Sequence, residues 1–408
     1  MTKHTAHITI QADTPLKVGS NNSDFLQDSP IQKDWNGLPM ILGTSIAGVL
    51  RKDFQGDVDD IFGSKNGSKV IISNALLLDE NDKVNEDLLL DKSAFLKIFD
   101  NLPIREHTAI NDKGVTNKGA KFDEEIVYKG TKFKFSIEFI DDDKNTFETI
   151  LNLLSSPSFR LGGGSTKGFG KFSIENIKTT TKECTSSLND DFKDENNYTK
   201  NEIDNNYNIY TLKIKPDDFF MFGSGFGDDE ADMTPVYEKV VDYENSKLSD
   251  EQILIPASSI KGAIAHRTTY HYNLQNKLYI GNEEVKETIK EIFGEAKNSK
   301  ENINGSKGKL LISECFKTKS DTKVFDHVSI DRFTGGAIDG ALFQEKTIAD
   351  DREYSIEILL EKDIDEVYIK AFESSLNDIC NGMLPLGGAT TKGHGVFTGT
   401  VLKDGVEL

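Results

Sequence analysis

Seven blocks of this 408-residue sequence occur twice and in the same order, so the chain must fold as two like units placed in tandem. Val18-Gly19-Ser20 with Asp24 and Asp28 returns as Phe222-Gly223-Ser224 with Asp228 and Asp232, every pair offset by 204. LGTSIAGVLR at 42–51 returns as PASSIKGAIA at 256–265, Ile61-Phe62-Gly63 as Ile292-Phe293-Gly294, and SKVIIS at 68–73 as GKLLIS at 308–313. His107-Thr108-Ala109-Ile110 pairs with His327-Val328-Ser329-Ile330, and GAKFDEE at 119–125 with GALFQEK at 340–346. Each unit closes on a glycine loop, LGGGSTKGFG at 161–170 and LGGATTKGHG at 386–395. The offsets drift between blocks, which locates insertions. The predicted division is a first domain at 1–177, a polar linker at 178–207 rich in Asn, Asp, Thr and Lys, and a second domain at 208–408.

Hydrophobic periodicity gives each unit the same element order. Ile8 and Ile10 alternate with polar residues, as do Tyr210, Leu212 and Ile214, and predict an opening strand. Helices follow over 45–54 and 258–272, with the small residues Ser45 and Ser258 at their starts as caps. Strands are expected at 70–72 and 310–312, and again at 133–139 and 354–360. Phe147, Ile150, Leu151 and Leu154 lie on one helical face, as do Ile369, Phe372, Leu376 and Ile379, and a last strand follows each glycine loop. The order β-α-β-β-α-β predicts an α+β fold of two tandem ferredoxin-like or RNA-recognition-motif-like domains. The long segments 101–130 and 321–350 lack regular apolar pattern and are expected to leave each core as excursions, each read as a hairpin.

Charge narrows the function. With 48 Lys and Arg against 68 Asp and Glu, the formal net charge is −20, and the linker contributes little of it. A general positive field is excluded, so any nucleic acid must sit in a local basic groove. No apolar run reaches the ~20 residues of a membrane span. The start of the chain reads as a strand rather than a leader. Cys184, Cys315 and Cys380 fit neither a disulfide framework nor a zinc site, and the expected location is the reducing cytoplasm.

The glycine loops place Gly163, Gly164 and Lys167, and then Gly387, Gly388 and Lys392, where backbone amides and a lysine can cradle a phosphate. One such loop alone reads better as a tight turn; two that keep Thr-Lys-Gly point to phosphate. Neither is a nucleotide-binding loop of the G-x-x-x-x-G-K-[ST] kind. Arg51 with Lys52, and Lys261 with Arg267, either line the same groove or are merely solvated. His107 and His327 recur in register, yet no second His or Cys stands at metal-ligand spacing from either, so no zinc is expected. On their own, Asp28 before Ser29-Pro30 and Asp232 before Met233-Thr234-Pro235 read as loop acids of an Asx turn.

These blocks together resemble the RAMP superfamily of CRISPR-Cas proteins, and especially the backbone subunits of type III effector complexes, over nearly the whole chain outside the linker. The resemblance implies guide CRISPR RNA, complementary target RNA and other type III subunits as partners, with no membrane. It implies that each excursion is a thumb wedged into the guide–target duplex, with Val115-Thr116 and Phe333-Thr334 as the wedging residues. It also implies that the loop acid before the proline cuts target RNA with help from a divalent ion, Mg2+ or Mn2+, held transiently. That role falls on Asp28 and Asp232, with Asp24 and Asp228 as rivals in register. The alternatives are a non-catalytic RNA-binding scaffold of the same complex, or a guide-processing endoribonuclease. The latter would need a partner for His107 or His327 that the spacing does not supply.

Overall fold

The structure is a computed structural model that describes residues 2–20, 30–110, 116–182, 187–189, 196–198, 206–279, 283–295 and 305–408. It is a mixed α/β protein of antiparallel sheets and few helices.

In the first copy, β1 (Lys3–Ala12) leads through a long loop to α1 (Gly43–Asp53) and β2 (Val70–Ile72). A hairpin of β3 (Ile104–Ile110) and β4 (Thr116–Glu125) then leaves the sheet. The chain returns through β5 (Lys132–Ile140), α2 (Lys144–Leu153) and β6 (Phe172–Thr181). β2 pairs with β5, β5 with β1 and β1 with β6, all antiparallel. Alternation in β5 sends Phe133, Phe135, Ile137 and Phe139 to one face, where Ile8 and Ile10 of β1 join them. The helices supply Ile46 and Leu50, and Phe147, Ile150 and Leu151, to the same core. Each of these side chains is removed from water and contributes about 1.5–3 kcal/mol.

The second copy repeats the plan. β7 (Tyr207–Pro216), α3 (Ala257–Asn276) and β8 (Leu310–Ile312) precede a hairpin of β9 (Asp321–Ile330) and β10 (Ala337–Ala349). β11 (Tyr354–Glu361), α4 (Glu366–Cys380) and β12 (Phe397–Lys403) complete it. The sheet order is β8-β11-β7-β12. Tyr210, Leu212, Ile214, Ile356, Ile358 and Leu360 face α3 and α4 through Ile260, Ile264, Phe372 and Leu376.

Two sequence expectations need correction. The first helix of each copy begins at Gly43 and Ala257, before Ser45 and Ser258, which therefore lie inside the first turn. The cap of α1 comes from elsewhere: Asn74 Oδ1, just after β2, accepts the Gly43 amide at 2.9 Å. The described parts of 178–198 also lie against the first copy, whereas Asn206 and Tyr207 already belong to the second. β6 runs on to Thr181, Asn196–Asn197 adds to it, and Leu188 is buried with Leu78 and Val84. Asn189 exchanges both amide bonds with the backbone of Val84, and the Tyr198 hydroxyl reaches Asn152 of α2. Composition reads such a stretch as linker because the few residues that anchor it are polar or isolated.

The copies lock together. Arg105 of β3 is buried and donates to two carboxylates of the second copy, through Nη2 to Glu238 at 2.8 Å and to Glu314 at 2.9 Å. Its guanidinium also lies over the Phe169 ring, 5.0 Å from the centroid. Burial opposes the charge on Arg105, yet Glu238 and Glu314 outweigh that and hold it firmly protonated. Beside this contact, a hairpin of Val241–Asp242 and Lys247–Leu248 inserts Val241 and Tyr243 into the first copy's core. Tyr243 accepts from the Lys132 amide and donates to Leu78 O. The ten residues by which offset 204 becomes 214 fall here, so this latch is an insertion peculiar to the second copy.

Arg105→Met leaves two buried carboxylates facing each other without a cation. It is expected to cost about 3–5 kcal/mol, measured as a lowered midpoint in urea unfolding.

Candidate functional site

In each copy the loop that carries the acids is closed at its neck and held to the base of the excursion. Ser20 N donates to Pro30 O in the first copy, and Ser224 N to Thr234 O in the second. The Ile31 amide donates to Glu125 of β4 at 2.9 Å, and Met233 bridges Glu345 of β10. Asp24 and Asp28 lie outside the described residues.

Their counterparts differ in availability. Asp228 caps its own turn, accepting the amides of Glu230 and Ala231 at 2.9 Å, and pairs with Lys346. Lys346 first, and then those amides, hold its carboxyl below the usual range. Asp232 is exposed and accepts one bond, from the Gln344 amide at 2.8 Å; its second oxygen has no partner among the described residues. No cluster of three His, Cys, Asp or Glu able to hold a metal forms among the described residues. A hard divalent ion is nonetheless bound by one or two carboxylates with substrate phosphates, and a lone carboxylate oxygen on an exposed loop fits that use.

The glycine loops resolve into a 3-10 turn each, Ser165–Lys167 and Thr390–Lys392, between left-handed residues. Gly163 N donates to Lys17 O and Gly388 N to Met221 O, both at 2.7 Å, so these two amides point into the protein and not outward to a phosphate. A Cβ on Gly162 or Gly387 would come within 2.3 Å of those same carbonyls, which is why glycine stands there. Gly164 serves the turn in a left-handed conformation.

The lysines enter a cluster that repeats in full. Lys167 lies 3.7 Å from Glu124 and over the Phe122 ring; Lys392 lies 2.7 Å from Glu345 and over the Phe343 ring. His107 stacks on Phe122 and sits 3.2 Å from Glu124, while His327 stacks on Phe343 and sits 3.6 Å from Glu345. Each recurring histidine thus has a carboxylate partner, about 17 or 18 residues along the hairpin, that the spacing does not reveal. Burial pushes the Glu124 carboxyl up, but hydrogen bonds from His107 and Lys17 and the charge of Lys167 outweigh it and hold it at about 2.

Other basic residues are drawn elsewhere. Arg51 staples α1 to the next turn through Gly63 O and Asp59. Arg267 joins His271 on Asp378 of α4 and lies over Tyr270. Both guanidinium groups are thus paired within their own copy, so neither is the merely solvated side chain of the two readings. Lys261 crosses the copies instead, donating to Thr166 Oγ1 at 3.1 Å. Burial, and then the neighbouring charge of Lys167, push it down to about 8.

The excursions are antiparallel hairpins. Val115 lies outside the described residues; Thr116 begins β4 opposite Ile110. Phe333 is wholly exposed at the second tip, in a turn where Asp331 caps the amides of Phe333 and Thr334. Val328, Ile330, Ile338 and Leu342 are also exposed along β9 and β10, and Ile104 and Ile110 along β3. Such a row is uncommon on a free surface and marks a contact site. Sequence reading missed it because no fixed face could be assigned to a segment outside the sheet.

The Glu124 carboxylate predicts a pH response. Its stabilisation is fully present above the ordinary carboxylate pKa near 4.5 and is lost as pH falls toward about 2. Glu124→Gln is expected to lower stability by about 2–3 kcal/mol at pH 7, a difference from wild type that shrinks below about pH 4 in urea titrations.

A protein-family model described as the RAMP superfamily matches residues 9–173 and again 223–398. A protein named CRISPR system Cms endoribonuclease Csm3, from Methanocaldococcus jannaschii, is 27% identical over 208 residues, which is 42% of this chain and 79% of that protein. The first matched region begins within β1 and the second at Gly223, just after β7; both run through the closing glycine loop, and on them the chain belongs to the RAMP superfamily.

Proposed function

We propose that the chain is a backbone subunit of a type III CRISPR ribonucleoprotein that holds guide RNA and cuts complementary RNA. The observation that carries this is positional. Both copies bring the neck of an acid-bearing loop, a partly exposed loop lysine and an exposed apolar hairpin to one place, and the Csm3 relative is named an endoribonuclease. The sheet order β6-β1-β5-β2, with α1 and α2 on one face, supports the ferredoxin-like reading of each copy, and the hairpins support the reading as thumbs. No described helix is long and apolar enough to cross a membrane, and a cytoplasmic complex is the proposed setting.

Lys167 and Lys261 come from different copies and repel each other beside Thr166; a phosphate of the guide backbone placed between them relieves that repulsion. Exposed Val328, Ile330 and Phe333 suit unstacked bases rather than phosphates. RNA carries its own nucleophile. The 2′-hydroxyl oxygen attacks the adjacent phosphorus as the bond to the 5′-oxygen breaks, leaving a cyclic phosphate and a 5′-hydroxyl. Asp232 in the second copy, and Asp28 in the first, accept the 2′-hydroxyl proton, and water protonates the leaving 5′-oxygen. In the alternative use of the same oxygen, the acid would hold a divalent ion that offsets the charge on the phosphate, and water would take the 2′-hydroxyl proton.

If both acids cut, a target RNA is cleaved at two places. Asp28→Asn is expected to erase one product and Asp232→Asn the other, each by about a hundredfold or more, with binding of guide and target unchanged. Asp228→Asn should leave both cuts and lower stability instead. Gel analysis of labelled target checks this, and cutting that survives both substitutions leaves a scaffold. Replacing Lys167 and Lys392 by alanine should weaken guide retention and flatten its salt dependence by about one unit of slope or more, measured by filter binding across salt. Replacing Val328, Ile330 and Phe333 by serine should abolish the unstacking signal of a base analogue beside the second copy while guide binding persists.

A further inference from the structure

The internal junction shows what a RAMP unit's glycine-loop end docks against, because the second copy covers that end of the first. Gly168 meets Glu314 and Ala257 of the second copy so closely that a Cβ would fall 2.5 and 2.6 Å from their side chains. The equivalent Gly393 has nothing within 4 Å, and Thr391 and Lys392 beside it are exposed. The chain therefore ends in one open loop face, on the second copy, and one open receiving face, on the first. A second copy of this chain that joined in the manner of the internal junction would pair these two faces.

The residues at those faces do not complement each other. Register places Phe325 opposite Glu345 where Arg105 stands opposite Glu124, and His394 falls where Phe169 falls. The cation over an aromatic ring at the junction is thus replaced, at the open end, by Phe325 against His394 at 5.3 Å. On the receiving side, Asp34 and Asn74 stand where the second copy has Glu238 and Glu314. Both are occupied within the first copy: Asp34 accepts the amides of Asn36 and Leu38, and Asn74 caps α1. The latch carrying Val241 and Tyr243 has no counterpart there, since the first copy crosses from Asp34 to Leu38 in a short turn that leaves Trp35 66% exposed.

We propose that the chain is a closed pair whose two free ends reject each other, so that any unit added at either end comes from a different chain. The missing arginine, the acid that is replaced by Asn74, the acid of Asp34 that is already occupied, and the missing latch each point the same way, and none of them depends on RNA. A heterologous contact that cannot close on itself otherwise builds an open filament; here the mismatch stops that.

Two measurements test it. Nuclease-treated, RNA-free protein should keep a monomer mass in sedimentation across the micromolar range, with constant emission from Trp35, the sole tryptophan. Growth of mass with concentration, with a shift in that emission, overturns the proposal. The second measurement rebuilds the end-to-end pairing inside one chain. A variant with Arg105→Phe, Glu238→Asp, Glu314→Asn and Tyr243→Ala gives the junction the residues of the open ends. Hydrogen exchange at Val241, whose amide crosses the junction to Lys129 O and loses no partner in this variant, is expected to speed up about a hundredfold while β1 and β7 keep their protection. Unchanged protection at the junction means that such faces do hold two units together, and overturns it as well. If the variant loses protection throughout, the sedimentation result alone decides.

Discussion

A single guanidinium stands between two buried carboxylates at the centre of this molecule, and the relation of the two copies follows from it. Arg105 cannot leave Glu238 and Glu314 without stranding like charges out of water. A buried ion cluster of this kind adds little net stability over an apolar contact, but it fixes which surfaces meet, because no other pairing satisfies all three groups. The latch with Tyr243 adds the apolar area that such a cluster lacks. Together they set the spacing of the two loop necks and the two hairpins, and hence the spacing at which anything laid across both copies is touched.

The charge of the chain fits this division of labour. A net charge of −20 excludes binding through a general field, and many lysines near the loops face carboxylates of their own copy. What remains is selective. Lys167 and Lys261 face each other, and burial weakens the hold of Lys261 on its proton, so an arriving phosphate finds a pair of groups that gain from its presence. Acidic surroundings disfavour nucleic acid elsewhere, and under the proposed function the junction is where the guide backbone is held.

Much of the fold could be read from the repeat and from periodicity. The alternation in β1 and β5 and the helical faces of α2 and α4 stand in the sequence as Ile8, Ile10, Phe147 and Ile150, and burial follows the pattern. The site was less legible, for physical reasons. Glu124 and Glu345 meet Lys167 and Lys392 only because a hairpin folds back beside a loop some 40 residues away, and no local signal marks that. Gly163 and Gly388 invite a phosphate reading because a glycine spent on a protein carbonyl and one spent on a ligand look alike in sequence. Arg51 and Arg267 were ambiguous on their own, and the carboxylates that claim them, Asp59 and Asp378, lie on the next turn and on another helix.

The hairpins show how the two halves of the site divide their work. A two-stranded ribbon has no second layer to bury its apolar side chains, so Val328, Ile330 and Leu342 face water in the isolated chain. At its base the same ribbon is anchored by Glu345, fully buried beneath Lys392 and His327, and by the backbone pairing to Met233 in the acid-bearing loop. A rigid base and an unsatisfied apolar blade are coupled through one strand, β10. Gln344, whose amide donates to Asp232, lies in the same strand as the exposed Leu342. One strand thus carries both part of the exposed apolar row and the amide that positions the loop carboxylate, and the first copy repeats its anchor through Glu125 and the amide of Ile31.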